Sequence, residues 1–205
     1  SELPHDLLSQ KLSLLTRNIE DSFGKRPTSF RSGRYGFNED VAKALVENGY
    51  LVDSSVTPFV SWKEQTGIPN GTGGPDFIGY RPTPFTYTLS NGSLVEIPIT
   101  IMPTRFPLTL NHNLAVNYFR QVNKSYLLRV LRKLYFSNQP VWLRPVPGTD
   151  LNLLRELLIV ARRSQLPFIT MMFHSSELMP GCSKYRPDKQ SVEDLYTLLT
   201  SFFTM

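Results

Sequence analysis

Residues 38–53 read NEDVAKALVENGYLVD and contain a helix signal followed directly by a strand signal. Asn38 can cap a helix whose apolar residues within 41–45 recur at helical spacing, and Gly49 is placed to end it. The apolar run at 50–53 has the length of a short buried strand. The stretch therefore predicts a helix that leads into a strand, which is the repeating unit of an α/β fold.

The same alternation is predicted on both sides of this stretch. Before it, Asp6 can cap a helix that Gly24 ends. The other predicted elements are a strand at 28–31, helical segments within 113–136, a strand at 141–144, a helix from Asp150 to 163, a strand at 168–173, and a helix from Ser191, capped by its own hydroxyl with Asp194 in a capping box. This order predicts a parallel sheet covered by helices, either open or closed into a barrel. The roughly five strands fall short of a closed barrel, so strands are expected to be missing.

The segment 54–94 interrupts the alternation and is rich in proline and glycine. Its glycines at 71–74 do not join a strand to a helix, so a loop is favoured over a phosphate cradle. Near its end, the runs 86–89 and 94–97 flank Asn91-Gly92, a pair that supplies the positive φ angles of a tight turn. A β-hairpin is predicted there.

Composition favours a single globular domain over residues 1–205, since 40% of the residues are hydrophobic. The formal charge of 22 − 17 = +5 is spread along the chain, and Arg129, Arg132 and Lys133 have the spacing of a solvated helix face. Nucleic-acid binding is therefore not expected. The single cysteine, Cys182, excludes an internal disulfide, and no apolar run approaches the roughly 20 residues of a membrane span.

Polar residues stand at the predicted carboxyl ends of four strands, namely Arg31, Asp53, Arg144 and His174. Parallel strands would bring them to one rim, where an aspartate could orient a histidine that acts as general acid. Each residue also has a structural interpretation. Arg31 could be a surface arginine, Asp53 a turn or cap aspartate and His174 a hydrogen-bonded structural group, while for Arg144 the structural role is favoured.

Sequence motifs for metal, nucleotide and nucleophilic catalysis are absent. There is no H-x-x-x-H pair, no Walker loop and no G-x-S-x-G. The three histidines form no pair, so they cannot build a three-ligand zinc site unless carboxylates contribute. His5 and His112 are expected to have surface roles.

Four segments together resemble a known family. They are residues 29–36 (SFRSGRYG), 48–58 (NGYLVDSSVTP), 96–100 (EIPIT) and 172–181 (MFHSSELMPG). In this order they are similar to a polysaccharide deacetylase-like branch of the NodB-homology, carbohydrate esterase 4 superfamily. The resemblance implies a distorted (β/α) barrel and a metal-dependent hydrolase that removes N- or O-acetyl groups from a sugar polymer.

The resemblance also implies roles for individual residues. Arg31 matches the arginine that holds the catalytic aspartate in place, and His174 matches the histidine that protonates the leaving group. Asp53 matches the carboxylate that supports this histidine. Tyr35 and Trp62 are candidates for packing against a sugar face.

Family enzymes hold a divalent metal, usually zinc, with one aspartate and two histidines. These ligands belong upstream of the helix near Asp6, so the resemblance implies that this chain is the C-terminal portion of the domain. The N-terminal half and the metal ligands are expected to be missing, and the fragment is expected to be inactive alone. Residues 31–36 lack the prolines that many members carry, which marks a divergent branch. The alternative is a non-catalytic glycan-binding or structural remnant of the same fold.

Overall fold

The computed structural model describes residues 3–67, 70–125, 127–128, 130 and 140–205. The chain divides into two compact units, Ser1–Pro98 and Ile99–Met205, which are described in turn. Both units combine helices with short strands, so the predicted α/β class is confirmed. The assignment of residues 1–205 to a single domain stays a prediction.

The first unit contains two helices and a four-stranded sheet. Its elements are α1 (His5–Phe23), β1 (Ser29–Phe30), α2 (Glu39–Glu47), β2 (Val52–Asp53), β3 (Phe85–Leu89) and β4 (Gly92–Glu96). The strand order is β1-β2-β4-β3, with β1, β2 and β4 parallel and β3 antiparallel at the edge. The parallel pairing predicted for this part is confirmed. The sheets of the described residues are open, and the closed barrel stays a prediction.

Helix α2 begins where its cap predicts, because the Asn38 side chain accepts a hydrogen bond from the Val41 amide at 3.0 Å. It packs on α1 and on the β3–β4 hairpin, and Ala44 and Leu45 are fully buried there. Burial of such apolar side chains is the main stabilising contribution to this unit.

The start of α1 corrects one prediction. Pro4, and not Asp6, holds the N-cap position, and the Leu8 amide bonds to the Pro4 carbonyl. The helix therefore starts two residues earlier than it would with Asp6 as its cap. Asp6 lies in the first turn, where its negative charge interacts favourably with the helix dipole. Gly24 ends α1 in the left-handed conformation, as predicted.

The predicted hairpin is confirmed as β3–β4, with its turn placed differently. Leu89 pairs with Gly92, so Ser90 and Asn91 form the turn and Gly92 is the first residue of β4. Of Asn91 and Gly92, only Gly92 has a positive φ, at 141°. A Cβ atom on Gly92 would also lie 2.9 Å from Val46 Cγ1, so only glycine fits there.

The second unit contains β5 (Ile101–Met102), α3 (His112–Lys124), β6 (Val141–Trp142), α4 (Leu151–Arg163) and α5 (Lys189–Phe203). Strands β5 and β6 are antiparallel, so the parallel prediction is wrong here. Alternation of helices and strands does not by itself fix strand direction, because a helical connection can return the chain either way. Asp150 caps α4 as predicted, accepting from the Leu153 amide at 2.7 Å. Of the predicted helical segment 113–136, residues 126, 129 and 131–136 lie outside the described residues, and these include Arg129, Arg132 and Lys133.

Two further predictions in this unit are wrong. Residues 168–173 form no strand. The Thr170 amide donates to the Thr100 hydroxyl at 2.8 Å. A side chain therefore accepts a hydrogen bond that a backbone carbonyl would accept in a β-sheet. Helix α5 begins at Lys189 with Asp188 as its cap, and Ser191 supplies the reciprocal bond from the third position. Ser191 and its neighbours therefore form the predicted kind of capping box, shifted by one turn.

Among the helices of the described residues, none combines the length and apolar character needed to cross a bilayer.

Candidate functional site: a buried acid pair and an aromatic cleft

Two carboxyl groups lie side by side at the end of the first sheet. Strands β2 and β4 are parallel neighbours, and their register pairs Asp53 with Glu96. Both residues are fully buried. Asp53 accepts the amide of Ser55 at 2.8 Å and its hydroxyl at 2.9 Å, while Glu96 Oε1 accepts the amide of Val56 at 2.9 Å. The pair therefore anchors the turn that follows β2.

The acid pair holds a proton at neutral pH. Burial, followed by the hydrogen bond with Asp53 and its charge, raises the pKa of Glu96 to about 9, and burial also raises the pKa of Asp53. Glu96 Oε2 meets no donor among the described residues. A proton on this oxygen lets it donate to Asp53, which satisfies an otherwise orphaned buried atom.

Arg31 lies at the same end of the sheet as Asp53, because Phe30 pairs with Asp53 in the β1–β2 register. Its Nε donates to the Ser54 carbonyl at 3.0 Å, and its Nη2 donates to the Ser54 hydroxyl at 3.1 Å. The Arg31 charge lowers the pKa of Glu96, although burial and Asp53 outweigh it. The contacts of Arg31 and Asp53 are those of groups that position the turn at Ser54, and their catalytic roles stay predictions.

A tight turn over residues 32–37 is tied to this pair. The Ser32 amide donates to the Ser55 hydroxyl at 2.7 Å, and that same hydroxyl donates to Asp53. Within the turn, Arg34 has φ 52° and ψ 26°, and Tyr35 has φ 56°. Two successive non-glycine residues in the left-handed region are strained by about 1–2 kcal/mol each. Such strain persists only where surrounding contacts impose it.

The aromatic rings of Tyr35 and Trp62 stack on each other. Their centroids are 5.1 Å apart and their planes differ by 22°. The indole N–H of Trp62 donates to the Thr57 hydroxyl at 2.8 Å. Both rings are half-buried. The two residues predicted to contact sugar are therefore brought together, and their sugar-binding role stays a prediction.

The glycine-rich loop is closed onto Trp62 by backbone hydrogen bonds. The Trp62 amide donates to Pro75 O at 2.9 Å, and the Gly74 amide donates to Trp62 O at 3.0 Å. A Cβ on Gly73 would lie 2.1 Å from the Lys63 carbonyl oxygen, and a Cβ on Gly74 would lie 2.6 Å from Trp62 Cβ. The glycines are thus explained by close backbone approach, in agreement with the predicted loop.

Between this loop and the 32–37 turn lies a cleft of about 470 Å³, here called the Trp62 cleft. It is lined by Arg34, Gly36, Phe37, Asn38, Trp62, Gln65, Thr66, Gly67, Thr72, Gly73, Gly74 and Pro75. One aromatic wall, several neutral amides and hydroxyls, and a single charged residue, Arg34, face the same space. Its volume is in the range of small-molecule sites.

His174 belongs to the second unit, where it precedes a short 3-10 turn, Ser175–Leu178. Its side chain is exposed. The His174 amide donates to Glu177 Oε1 at 3.1 Å, and Arg144 Nη2 donates to the same oxygen at 3.2 Å. Glu177 is fully buried, so the structural role favoured for Arg144 agrees with its contact. The meeting of His174 with Arg31 and Asp53 on one rim stays a prediction.

Sequence reasoning missed Glu96 and Glu177 as members of these clusters. A signal for Glu96 was present: strand alternation places it on the same side as buried Leu94, whereas Val95 between them is 39% exposed. A charged residue at a core-facing position indicates a paired or protonated group. For Glu177 the available signal is its position three residues after His174, because a glutamate there can accept a hydrogen bond from the backbone amide of the capping residue.

The described residues do not fit the divalent metal that the resemblance implies. Within that part of the chain, no three histidine, cysteine, aspartate or glutamate side chains are grouped to hold an ion. Asp53 and Glu96 are only two carboxyl groups, and no third such side chain is grouped with them in the described part of the chain.

Comparisons with known proteins give one weak likeness. No protein-family model matches the chain, and no curated protein matches it. The chain is similar to a crystal structure from Mycobacterium smegmatis of a protein whose assignment as a polysaccharide deacetylase is itself provisional, with 14% identity over 83% of this chain and a TM-score of 0.35. The chain spans 61% of the length of that structure. A TM-score at this level does not establish a shared fold.

Proposed function

We propose that the chain is part of a carbohydrate hydrolase of the polysaccharide deacetylase type, and that the Trp62 cleft holds the sugar chain. The observation that carries this proposal is the composition of the cleft, in which one fixed aromatic ring faces neutral hydrogen-bonding side chains. The sequence resemblance supplies the reaction type, which is hydrolysis of an acetyl group.

The Trp62 ring is suited to a sugar because it is held in place. Stacking on Tyr35 and the hydrogen bond to Thr57 fix its orientation before a ligand arrives. Ordering cost on binding is lower when the contacting side chain is already rigid. A pyranose ring has an apolar C–H face that can lie on an aromatic surface.

The neutral polar residues of the cleft match the other face of such a ligand. Gln65, Thr66 and Thr72 line the cleft, and their amide and hydroxyl groups can both donate and accept. Sugar hydroxyls also do both. A small number of such groups around an apolar wall is the usual composition of a ligand site.

In this proposal the acid pair and Arg31 position the edge of the sheet, since their contacts lie within the protein. His174 would protonate the leaving sugar nitrogen or oxygen, a role that an exposed imidazole can perform. The divalent metal of the reaction would be held by residues other than those described.

A second candidate is a glycan-binding protein of the same ancestry without catalytic activity. It is favoured by the full burial of Asp53, whose carboxylate oxygens are engaged by Ser55. In this candidate Asp53 has a structural role, holding the turn after β2, and does not contact the ligand.

The two candidates are separated by measuring acetate release. The full-length protein, as wild type and as His174→Ala, is incubated with tetra-N-acetylchitotetraose and with acetylated xylan, with zinc added. If the protein is a hydrolase, the wild type releases acetate, and His174→Ala releases it about a hundredfold more slowly or less. Absence of acetate from both proteins, with oligosaccharide binding retained, would establish the glycan-binding candidate.

Binding to the Trp62 cleft is tested separately by calorimetry with the same chitotetraose. Gln65→Ala, in the cleft, is expected to weaken binding about threefold to tenfold through loss of one hydrogen bond. Gln10→Ala, on the exposed face of α1, is the matched control. Equal weakening by both variants, or by neither, would place the sugar elsewhere.

A further inference from the structure

We propose that the Trp62 cleft is selective for carbohydrate that carries a carboxylate, such as a uronic acid residue, and that Arg34 binds this carboxylate. The inference rests on the proposed function and adds the charge of the ligand to it. Three features of Arg34 support it: its place in the cleft, its backbone conformation and the pairing state of the charges around it.

Arg34 occupies a conformation that favours glycine, with φ 52° and ψ 26°. Glycines stand at positions 33 and 36 of the same turn, so the local sequence contains the residue that would relieve this strain. An arginine kept at the strained position indicates a use for its guanidinium. Arg34 is exposed and is one of the residues that line the Trp62 cleft.

The strain is imposed by contacts on either side of Arg34. The Ser32 amide is held by the Ser55 hydroxyl, and the Ser32 hydroxyl donates to Gly36 O at 2.9 Å. At the other side, Tyr35 stacks on Trp62. The turn is therefore fixed at its entrance and at its far side before any ligand binds, which reduces the ordering cost at Arg34.

The charge of Arg34 is not neutralised within the described residues. Arg34 has no ion pair or hydrogen-bonded carboxylate there, and it is the sole charged residue that lines the cleft. Two of the acidic residues close to it in sequence or beside the loop are engaged elsewhere: Glu39 pairs with Lys43 at 2.8 Å, and Asp76 pairs with Lys63 at 3.0 Å. The cleft thus presents one net positive charge beside an aromatic wall.

A carboxylate suits this position better than a neutral group. The planar guanidinium can donate two parallel hydrogen bonds to a carboxylate, and charge-assisted bonds are about twice as strong as neutral ones. A sugar lying on Trp62 with its carboxylate toward Arg34 would use both features at once.

The test compares two matched probes by calorimetry in low salt. Tetra-N-acetylchitotetraose is neutral, and a hyaluronan tetrasaccharide alternates the same amino sugar with glucuronate. We expect the acidic probe to bind about tenfold more tightly, and this preference to fall as salt screens the contact. Arg34→Gln should abolish the preference, whereas Arg34→Lys should retain part of it. Arg17→Gln, at an exposed position of α1, should leave it unchanged.

The outcomes separate the two proposals. If neither probe binds the wild-type protein, the proposed function fails and the inference fails with it. If both probes bind equally, or if Arg34→Gln keeps the preference, the sugar site stands and the selectivity is overturned. Circular dichroism of Arg34→Gln checks that the variant is folded, and Arg34→Lys provides the second variant should it not be.

Discussion

Arg34 carries a backbone strain that a single substitution should release. Because glycine has no Cβ, Arg34→Gly removes a penalty of roughly 1–2 kcal/mol for the left-handed conformation. Glycine also raises the conformational entropy of the unfolded chain, which offsets part of this stabilisation. We expect the free energy of unfolding in urea to rise by about 0.5–1 kcal/mol.

The matched control for this prediction is Arg17→Gly in the interior of α1. The same chemical change should lower the free energy of unfolding there by about 1 kcal/mol, since glycine is a poor helix former. Two changes of the same sign would contradict the account of Arg34.

Gly73 combines a positive φ with a lack of space, and the two effects can be separated. Gly73 and Gly148 share a φ of +86°, but a Cβ on Gly73 meets the Lys63 carbonyl oxygen at 2.1 Å, whereas nothing lies within 4 Å of a Cβ on Gly148. Gly148→Ala should therefore lower the free energy of unfolding by about 1 kcal/mol, and Gly73→Ala by about 1–3 kcal/mol more. Chemical denaturation measures both. Equal losses would show that the loop yields to the added methyl group.

At the scale of elements, the β2–β4 pairing makes stability depend on pH. The pKa of Glu96 is raised to about 9 in the folded protein, so the folded state binds more protons than the unfolded state between about pH 4.5 and pH 9. The contribution of protonated Glu96 to the free energy of unfolding is therefore fully present at the acid end of this window, and it is lost as the pH rises through the window. The slope for one proton is at most about 1.4 kcal/mol per pH unit.

Glu96→Gln should remove this slope, because the amide keeps a bond from Val56 and can donate to Asp53 without a proton from solvent. The variant is expected to be more stable than the wild type at pH 8–9, as measured by thermal unfolding across the pH range. Glu64→Gln, an exposed loop substitution, is the control. A wild-type stability that rises from pH 6 to pH 9 would refute the shared proton.

Elements also differ in how far the sequence determined them. Asn38 and Asp150 cap the helices they were predicted to cap, because a cap depends on an amide only three residues away. The strand predicted at 168–173 failed for the opposite reason. Its apolar composition is real, but Phe168 is 53% exposed, and the partner that completes a ladder is a distant segment that local sequence does not specify.

For the molecule as a whole, we make a prediction about zinc, because no cluster of three metal-ligating side chains is found among the described residues. Equilibrium dialysis of the 205-residue chain should find no tight equimolar zinc at pH 7. His174→Ala should leave any weak zinc uptake unchanged within about twofold, since one histidine contributes little without further ligands. Tight equimolar binding that this variant loses would reveal a metal site at His174.

Local sequence signals were sufficient to predict the α/β class, the principal helices and the β3–β4 hairpin. They also gave Arg31, Asp53, His174, Tyr35 and Trp62 as candidate site residues, whose roles stay predictions. Those features depend on periodicity, caps and turn residues, which act over a few positions of the chain. Other features depend on the tertiary structure. Asp53 lies beside Glu96, and the Ser55 hydroxyl bonds to the turn that contains Arg34. Gly73 and Gly74 lie close against residues 62–63. These contacts join segments far apart in sequence, and their register is set by the packing of the sheet and the loop rather than by any local preference.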